Sequence, residues 1–190
     1  MTNHVPQAGS EAGHRLFLGL EMPAFVQEQL ADLRTELPGV RWQWPADLHL
    51  TLRFLGSVPE RLMAHIIEAM QDLEISPFDM RLSAVGTFDH RVLWAGTAAD
   101  ADLQLFRHRL DARLLPLGFE PEQLPFSPHV TLARTRGSRP AVLEPFLAAH
   151  KDLRSAPWTV THFSLFRSER SGTGPVYQVV ARFALGKGAS

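Results

Sequence analysis

Two short segments of this 190-residue chain repeat one pattern. His49-Leu50-Thr51-Leu52 and His129-Val130-Thr131-Leu132 both read His, apolar, Thr, apolar. With nine His and 45% hydrophobic residues, roughly 0.1 such matches are expected in a random chain of this composition, so two point to function rather than chance. Both copies lie in runs where apolar and polar residues alternate, the period of a half-buried strand. In a strand, residues i and i+2 share a face, about 7 Å apart. His49 therefore projects with Thr51, and His129 with Thr131, while the apolar partners point into a core. If the two strands face one another, two imidazoles and two hydroxyls converge on one small volume.

Two imidazoles suit a reaction in which one proton is removed and another delivered. A neutral His takes a proton from the attacking hydroxyl and a protonated His gives one to the leaving oxygen, both near neutral pH. Two Thr hydroxyls donate hydrogen bonds to the non-bridging oxygens of a phosphate held between them. Arg134, three residues after Thr131, adds a charge-assisted contact to the same phosphate. Such a set cleaves a phosphodiester by acid–base chemistry with neither metal nor cofactor. A metal site on His49 and His129, with His162 and Asp47, is the weaker reading, because Thr is a poor ligand and the second motif has no acidic counterpart. A pocket that only binds RNA ends or nucleotides is the other alternative, although a pure binder has no use for a paired acid and base.

Other residues carry less. Arg53 shares the face of His49 and Thr51 by strict alternation and is expected as a solvated charge at the cleft rim, with a substrate contact as the weaker reading. His162 could line the cleft from a closing strand, but a structural role is favoured. Trp42 and Trp44 could wall a base, though core packing is expected for both. His4, His14, His65, His90, His108 and His150 read as surface or packing residues.

These motifs must be positioned by the surrounding elements. Residues 1–14 read as a loose tail and 186–190 as a short C-terminal one, with a single domain over 15–185. A strand is expected over 15–21, then a helix entered at Pro23 and ended by Pro38-Gly39. Residues 40–44 suit an edge strand and 48–55 a clear period-2 strand. Ser57 to Glu60 reads as a capping box before a helix carrying Leu62, Ile66, Met70 and Leu73. Strands over 78–85 and 91–96 precede a helix capped by Asp100. A strand over 128–134, a helix over 144–150 and strands over 158–166 and 176–185 complete the order. Strands that follow one another directly imply antiparallel pairing with helices on one face, an α+β fold.

Composition narrows the function further. A net charge of -1 argues against a broad basic surface for duplex DNA, so an anionic substrate meets a small local site. Zero cysteines exclude a disulfide scaffold, thiolate metal sites and a cysteine nucleophile. No apolar run approaches the roughly 20 residues of a membrane helix. The start lacks a signal-peptide apolar core, so the cytoplasm is the expected location. There is no GxGxxG, GxxxxGK[ST] or HExxH sequence.

The segments LHLTLRFLG (48–56) and FSPHVTLAR (126–134) resemble the two signature motifs of the two-histidine, or HxTx, phosphoesterases. Within that superfamily the resemblance is to the RNA 2′,3′-cyclic phosphodiesterases, also called the 2′-5′ RNA ligase family. RLFLGLEMP (15–23) and VLWAG (92–96) support it. The resemblance implies two pseudo-symmetric lobes of antiparallel sheet, helices on their outer faces and a central cleft. It implies opening of a 2′,3′-cyclic phosphate on an RNA end or cyclic nucleotide to a 2′-phosphate, and 2′-5′ ligation in reverse. Carried over by position, His49 resembles the proton donor and His129 the proton acceptor, with Thr51, Thr131 and Arg134 as phosphate holders. Leu18 stands where some members carry a second aromatic, and alternation aims neighbouring Phe17 at the opposite face. One chain completes such a cleft, so a monomer is expected.

Overall fold

The computed structural model describes residues 13–97, 101–136, 140–172 and 174–186. In chain order, its elements are β1 (Gly13–Glu21), α1 (Ala24–Asp32), β2 (Val40–Trp42), β3 (His49–Pro59), α2 (Glu60–Gln71), β4 (Phe78–Met80), β5 (Leu82–Phe88) and β6 (Val92–Thr97). They continue with α3 (Ala101–Leu114), β7 (His129–Thr135), α4 (Pro140–His150), β8 (Trp158–Val160), β9 (His162–Ser171) and β10 (Gly174–Ala184). All the named strand pairings are antiparallel.

The alternating runs build one main sheet in the order β10-β9-β1-β3-β7-β6-β5, with β2 on β7; β4 and β8 form a separate pair. The main sheet has two halves. One is β10-β9-β1-β3 and the other is β7-β6-β5 with β2, and they meet at a single register pair, Leu50 opposite Val130. That seam joins the two repeated motifs. On one face, Leu16, Leu18, Leu20, Leu50, Leu52, Val130 and Leu132 pack with Ile66, Met70, Leu103, Phe106 and Leu110 in one core. Full burial of each Leu in that set stabilises by about 1.5–3 kcal/mol. Helices α2 and α3 lie against β3 and each other, and α4 lies against β5. The opposite face is left to the cleft. The expected α+β fold of two antiparallel halves is therefore what forms, as an open sheet.

Several local expectations give way to tertiary pairing. Gly13 and His14 are strand residues opposite Pro59 and Val58, not tail, and Gly186 is tied by its N–H to the Ile75 carbonyl at 2.8 Å. Residues 1–12, the Asp100 cap and residues 187–190 lie outside the described residues. The capping box does not form. Ser57 and Val58 extend β3 along β1, Pro59 takes the N-cap without a side-chain bond, and Glu60 pairs with His14 instead. Ladder bonds to β1 outweigh one local cap. Helix α1 stops at Asp32 rather than running to Leu37. Helix α4 begins at Pro140 and holds Pro145 in its interior. Two expected single strands are each broken at one residue, Arg81 and Thr161, so that β4 and β8 leave the main sheet to pair with each other.

Candidate active site

Alternation alone places His49, Thr51, His129 and Thr131 on the cleft face, and all four line one cavity of about 650 Å³. Arg134 lines it too, which alternation from Thr131 does not explain. The cause is a bulge. Between β6 and β7 the register slips, with Trp94 opposite Thr131 but Leu93 opposite Ala133, so Leu132 is the extra residue. Leu132 and Ala133 both turn to the core, and Arg134 is re-aimed to the cleft.

The first motif repeats the device. Gly19 lies opposite Thr51 and Leu18 opposite Arg53, leaving Leu52 as the extra residue. Leu52 and Arg53 are both buried, while Phe54 emerges on the cavity wall, 54% exposed. Phe54 is thus the counterpart of Arg134. Arg53 is not a rim charge: it lies under the sheet, paired with Asp111 at 3.0 Å and Glu122 at 2.9 Å. The extra residues leave carbonyls to satisfy, and both have donors. Arg107 donates to Leu52 O at 2.6 Å, and the Gln43 N–H to Leu132 O at 2.8 Å.

The two imidazoles are held alike. His49 Nδ1–H donates to the Asp47 carbonyl at 2.7 Å and His129 Nδ1–H to the Ser127 carbonyl at 2.8 Å. A carbonyl only accepts, so the proton of each neutral ring sits on Nδ1 and Nε2 is the basic nitrogen. Packing fixes the ring planes. His49 lies 4.7 Å from Phe17 and edge-on to Tyr177 at 4.6 Å, while Phe88 meets His129 edge-on at 4.9 Å. Burial lowers the His49 pKa to about 4; the Asp47 carbonyl opposes this, and the His129 and Arg134 charges add to it. Burial also lowers His129, against the Ser127 carbonyl and with help from Arg134. Across the cleft, Arg134 hydrogen-bonds Tyr177, whose hydroxyl is pushed up by burial despite that cation. The Asp47 carboxylate accepts from the Tyr177 main-chain N–H, and burial raises its pKa.

Phe17 belongs to the cleft. Alternation along β1 sends Leu16, Leu18 and Leu20 to the core and Phe17 to the cavity wall, stacked on Phe166 at 4.8 Å and 5°. Tyr177, Phe54 and Phe88 are among the cavity residues that sequence reasoning missed, as are Arg15 and Arg170; Tyr177 comes from β10, far along the chain, without a motif of its own. His162 is 3.7 Å from Glu21 and outside this cavity. Trp42 donates to the Thr35 carbonyl and packs edge-on to Phe146, and Trp44 is 66% exposed beneath Arg34. Neither Trp lines the cavity, and Trp44 is a surface residue rather than the core residue expected.

With this geometry in hand, the likenesses to known proteins are specific. The model of the 2′-5′ RNA ligase superfamily matches residues 22–172. A protein of Methanocaldococcus jannaschii named RNA 2′,3′-cyclic phosphodiesterase is 29% identical, covering 87% of this chain and 98% of its own. One of Thermus thermophilus with the same name is 34% identical, covering 90% of each. A crystal structure of a Thermus thermophilus protein superposes with a TM-score of 0.75 at 30% identity, over 90% of this chain and 97% of that one.

Proposed function

The chain belongs to the 2′-5′ RNA ligase superfamily, and we propose that it opens 2′,3′-cyclic phosphates at RNA ends to 2′-phosphates by acid–base catalysis between His49 and His129. The observation that carries this reading is the matched pair of imidazoles in one cavity, each with Nδ1 spent on a carbonyl two residues earlier and Nε2 left for the substrate. The names of the relatives give the substrate class.

The cyclic phosphate sits between the two halves of the sheet. Thr51 and Thr131 donate to its non-bridging oxygens, and Arg134 offsets their negative charge. His129 Nε2 takes a proton from water as the water oxygen bonds to phosphorus. The bond from phosphorus to O3′ breaks, and His49 Nε2 delivers its proton to that oxygen. The product is a 2′-phosphate beside a free 3′-hydroxyl. A ribose 5′-hydroxyl in place of water gives a 2′-5′ linkage by the same transfers. Desolvation makes the His49 imidazolium the stronger acid of the two, and the phosphodiester anion supplies the charge that holds its proton once bound. Both protons move through side chains of one chain, so this reading needs no metal, no cofactor and no second subunit, and we place it in a cytoplasmic monomer.

An RNA oligonucleotide ending in a 2′,3′-cyclic phosphate tests it. Conversion to the 2′-phosphate in EDTA is expected, with His49→Ala and His129→Ala each slower by about 10²-fold or more. Unchanged turnover in either variant overturns the mechanism, and inhibition by EDTA restores the metal reading. Binding without turnover makes the protein an RNA-end binder. A 3′-phosphate product exchanges the leaving oxygen and with it the assigned geometry.

A further inference from the structure

A second cavity, of about 700 Å³, adjoins the first and shares Arg134 and Gly174 with it. Its lining includes Arg41, Arg134 and Arg136 and, among the described residues, no carboxylate. Arg41 on β2 is the direct cross-strand partner of Arg134 on β7. Like charges directly opposite one another on adjacent strands destabilise a sheet. The backbone nevertheless makes room for Arg41. Gly174 has φ +135°, and a Cβ there would lie 2.0 Å from Arg41 Nη1 and 2.6 Å from Nη2. Any side chain at 174 would displace the guanidinium. An anion between Arg41 and Arg134 turns the repulsion into two charge-assisted contacts.

We infer that this cavity is an anion subsite for the phosphate on the 5′ side of the terminal ribose. The inference rests on the reading of the cleft given above. Once the cyclic phosphate lies among His49, His129 and Arg134, the terminal nucleotide has one other phosphate-bearing position, its 5′ oxygen. Arg134 lines both cavities, so the second lies within reach of the 5′ side of a ribose whose 2′,3′ edge is held in the first. Recognition of that phosphate selects RNA ends over cyclic mononucleosides that lack it. The same chemistry is offered by an internucleotide phosphodiester and by a 5′-monophosphate.

The test compares kcat/KM for adenosine 2′,3′-cyclic phosphate, its 5′-phosphorylated form and the dinucleotide adenylyl-adenosine 2′,3′-cyclic phosphate. The wild type is expected to favour the two substrates carrying a 5′-side phosphate by about tenfold or more. Arg41→Gln, and the double variant with Arg136→Gln, should remove most of that preference while changing the unphosphorylated nucleoside substrate by less than about twofold. A dinucleotide advantage over the 5′-monophosphate identifies the internucleotide phosphate as the ligand; equal preference assigns the site to either source. Equal turnover of all three by the wild type, or an equal loss on all three in Arg41→Gln, overturns the subsite. If none is turned over, the reading of the cleft fails by itself. The affinity of adenylyl-adenosine 2′-phosphate relative to adenosine 2′-phosphate then decides the subsite, and a ratio unchanged by Arg41→Gln overturns it.

Discussion

Arg107 on α3 reaches under the sheet and donates through Nη1 to the main-chain oxygen of Leu52 at 2.6 Å. Leu52 is the extra residue of the bulge that follows Thr51, so this bond occupies a carbonyl that the slipped ladder leaves without its regular partner. Arg107 is held in turn by Asp111 at 3.0 Å and Glu122 at 3.2 Å, and the same two carboxylates take Arg53. Burial pushes the Glu122 carboxyl up, but the two guanidiniums outweigh it and keep it below its ordinary value. Two cations and two anions thus close a neutral ring between α3 and the strand that carries His49.

Arg107→Met keeps most of the length and apolar stem while removing the donor and the charge. The Leu52 carbonyl then lacks a partner, and two carboxylates share one guanidinium. A stability loss of about 2–4 kcal/mol is expected in urea unfolding. Turnover of the cyclic phosphate should fall as well, because the bulge that aims the strand loses its support. A loss under about 0.5 kcal/mol, the level of an ordinary surface change, would mean that the ring does not hold the bulge.

The balance between legible and hidden parts of this site follows from the range of each signal. His49 with Thr51, and His129 with Thr131, need only the period of a strand, and the repeat itself marks them. Arg134 enters the cleft, and Arg53 leaves it, because of bulges set by the neighbouring strands β1 and β6. A single-strand pattern contains no trace of a partner's register. Phe17 needs no bulge: alternation along β1 gives the core Leu16, Leu18 and Leu20 and the cleft Phe17. What the family resemblance left hidden is the position of the aromatic, one place before Leu18. Tyr177 reaches Arg134 from β10, a strand outside both motifs. Ser57 to Glu60 shows the opposite error, a sound local signal that long-range pairing overrides.

His49 links the site to stability. Its folded-state pKa is about 4 against an ordinary 6.5, so the folded protein favours the neutral ring. Between these values the unfolded chain binds more protons, and stability rises with pH through that window. The contribution is fully present above about pH 6.5 and is lost as the pH falls toward about 4. From pH 7 to pH 5 this one group should account for about 2 kcal/mol of lost stability. His49→Gln cannot titrate, so chemical unfolding at the two pH values should show a smaller drop in the variant by about that amount. Parallel losses in the two proteins would mean that His49 is hydrated enough to titrate normally.

Arg134 ties the rate to pH through both imidazoles. The proposed reaction needs one ring protonated and the other neutral, so kcat/KM should peak between their free-enzyme pKa values. Both are lowered from 6.5, chiefly by burial and further by the Arg134 charge. The optimum of kcat/KM therefore lies on the acid side of pH 6.5. The optimum of kcat should lie higher, since a bound phosphodiester anion stabilises each imidazolium. Arg134→Met removes a phosphate contact and a positive charge together. The expected result is a kcat/KM lower by about 10-fold or more, with its optimum displaced to higher pH as both rings become more basic. A steric or folding defect lowers the rate without moving the profile. An optimum that stays in place, or moves to lower pH, would show that the Arg134 charge does not act on His49 and His129.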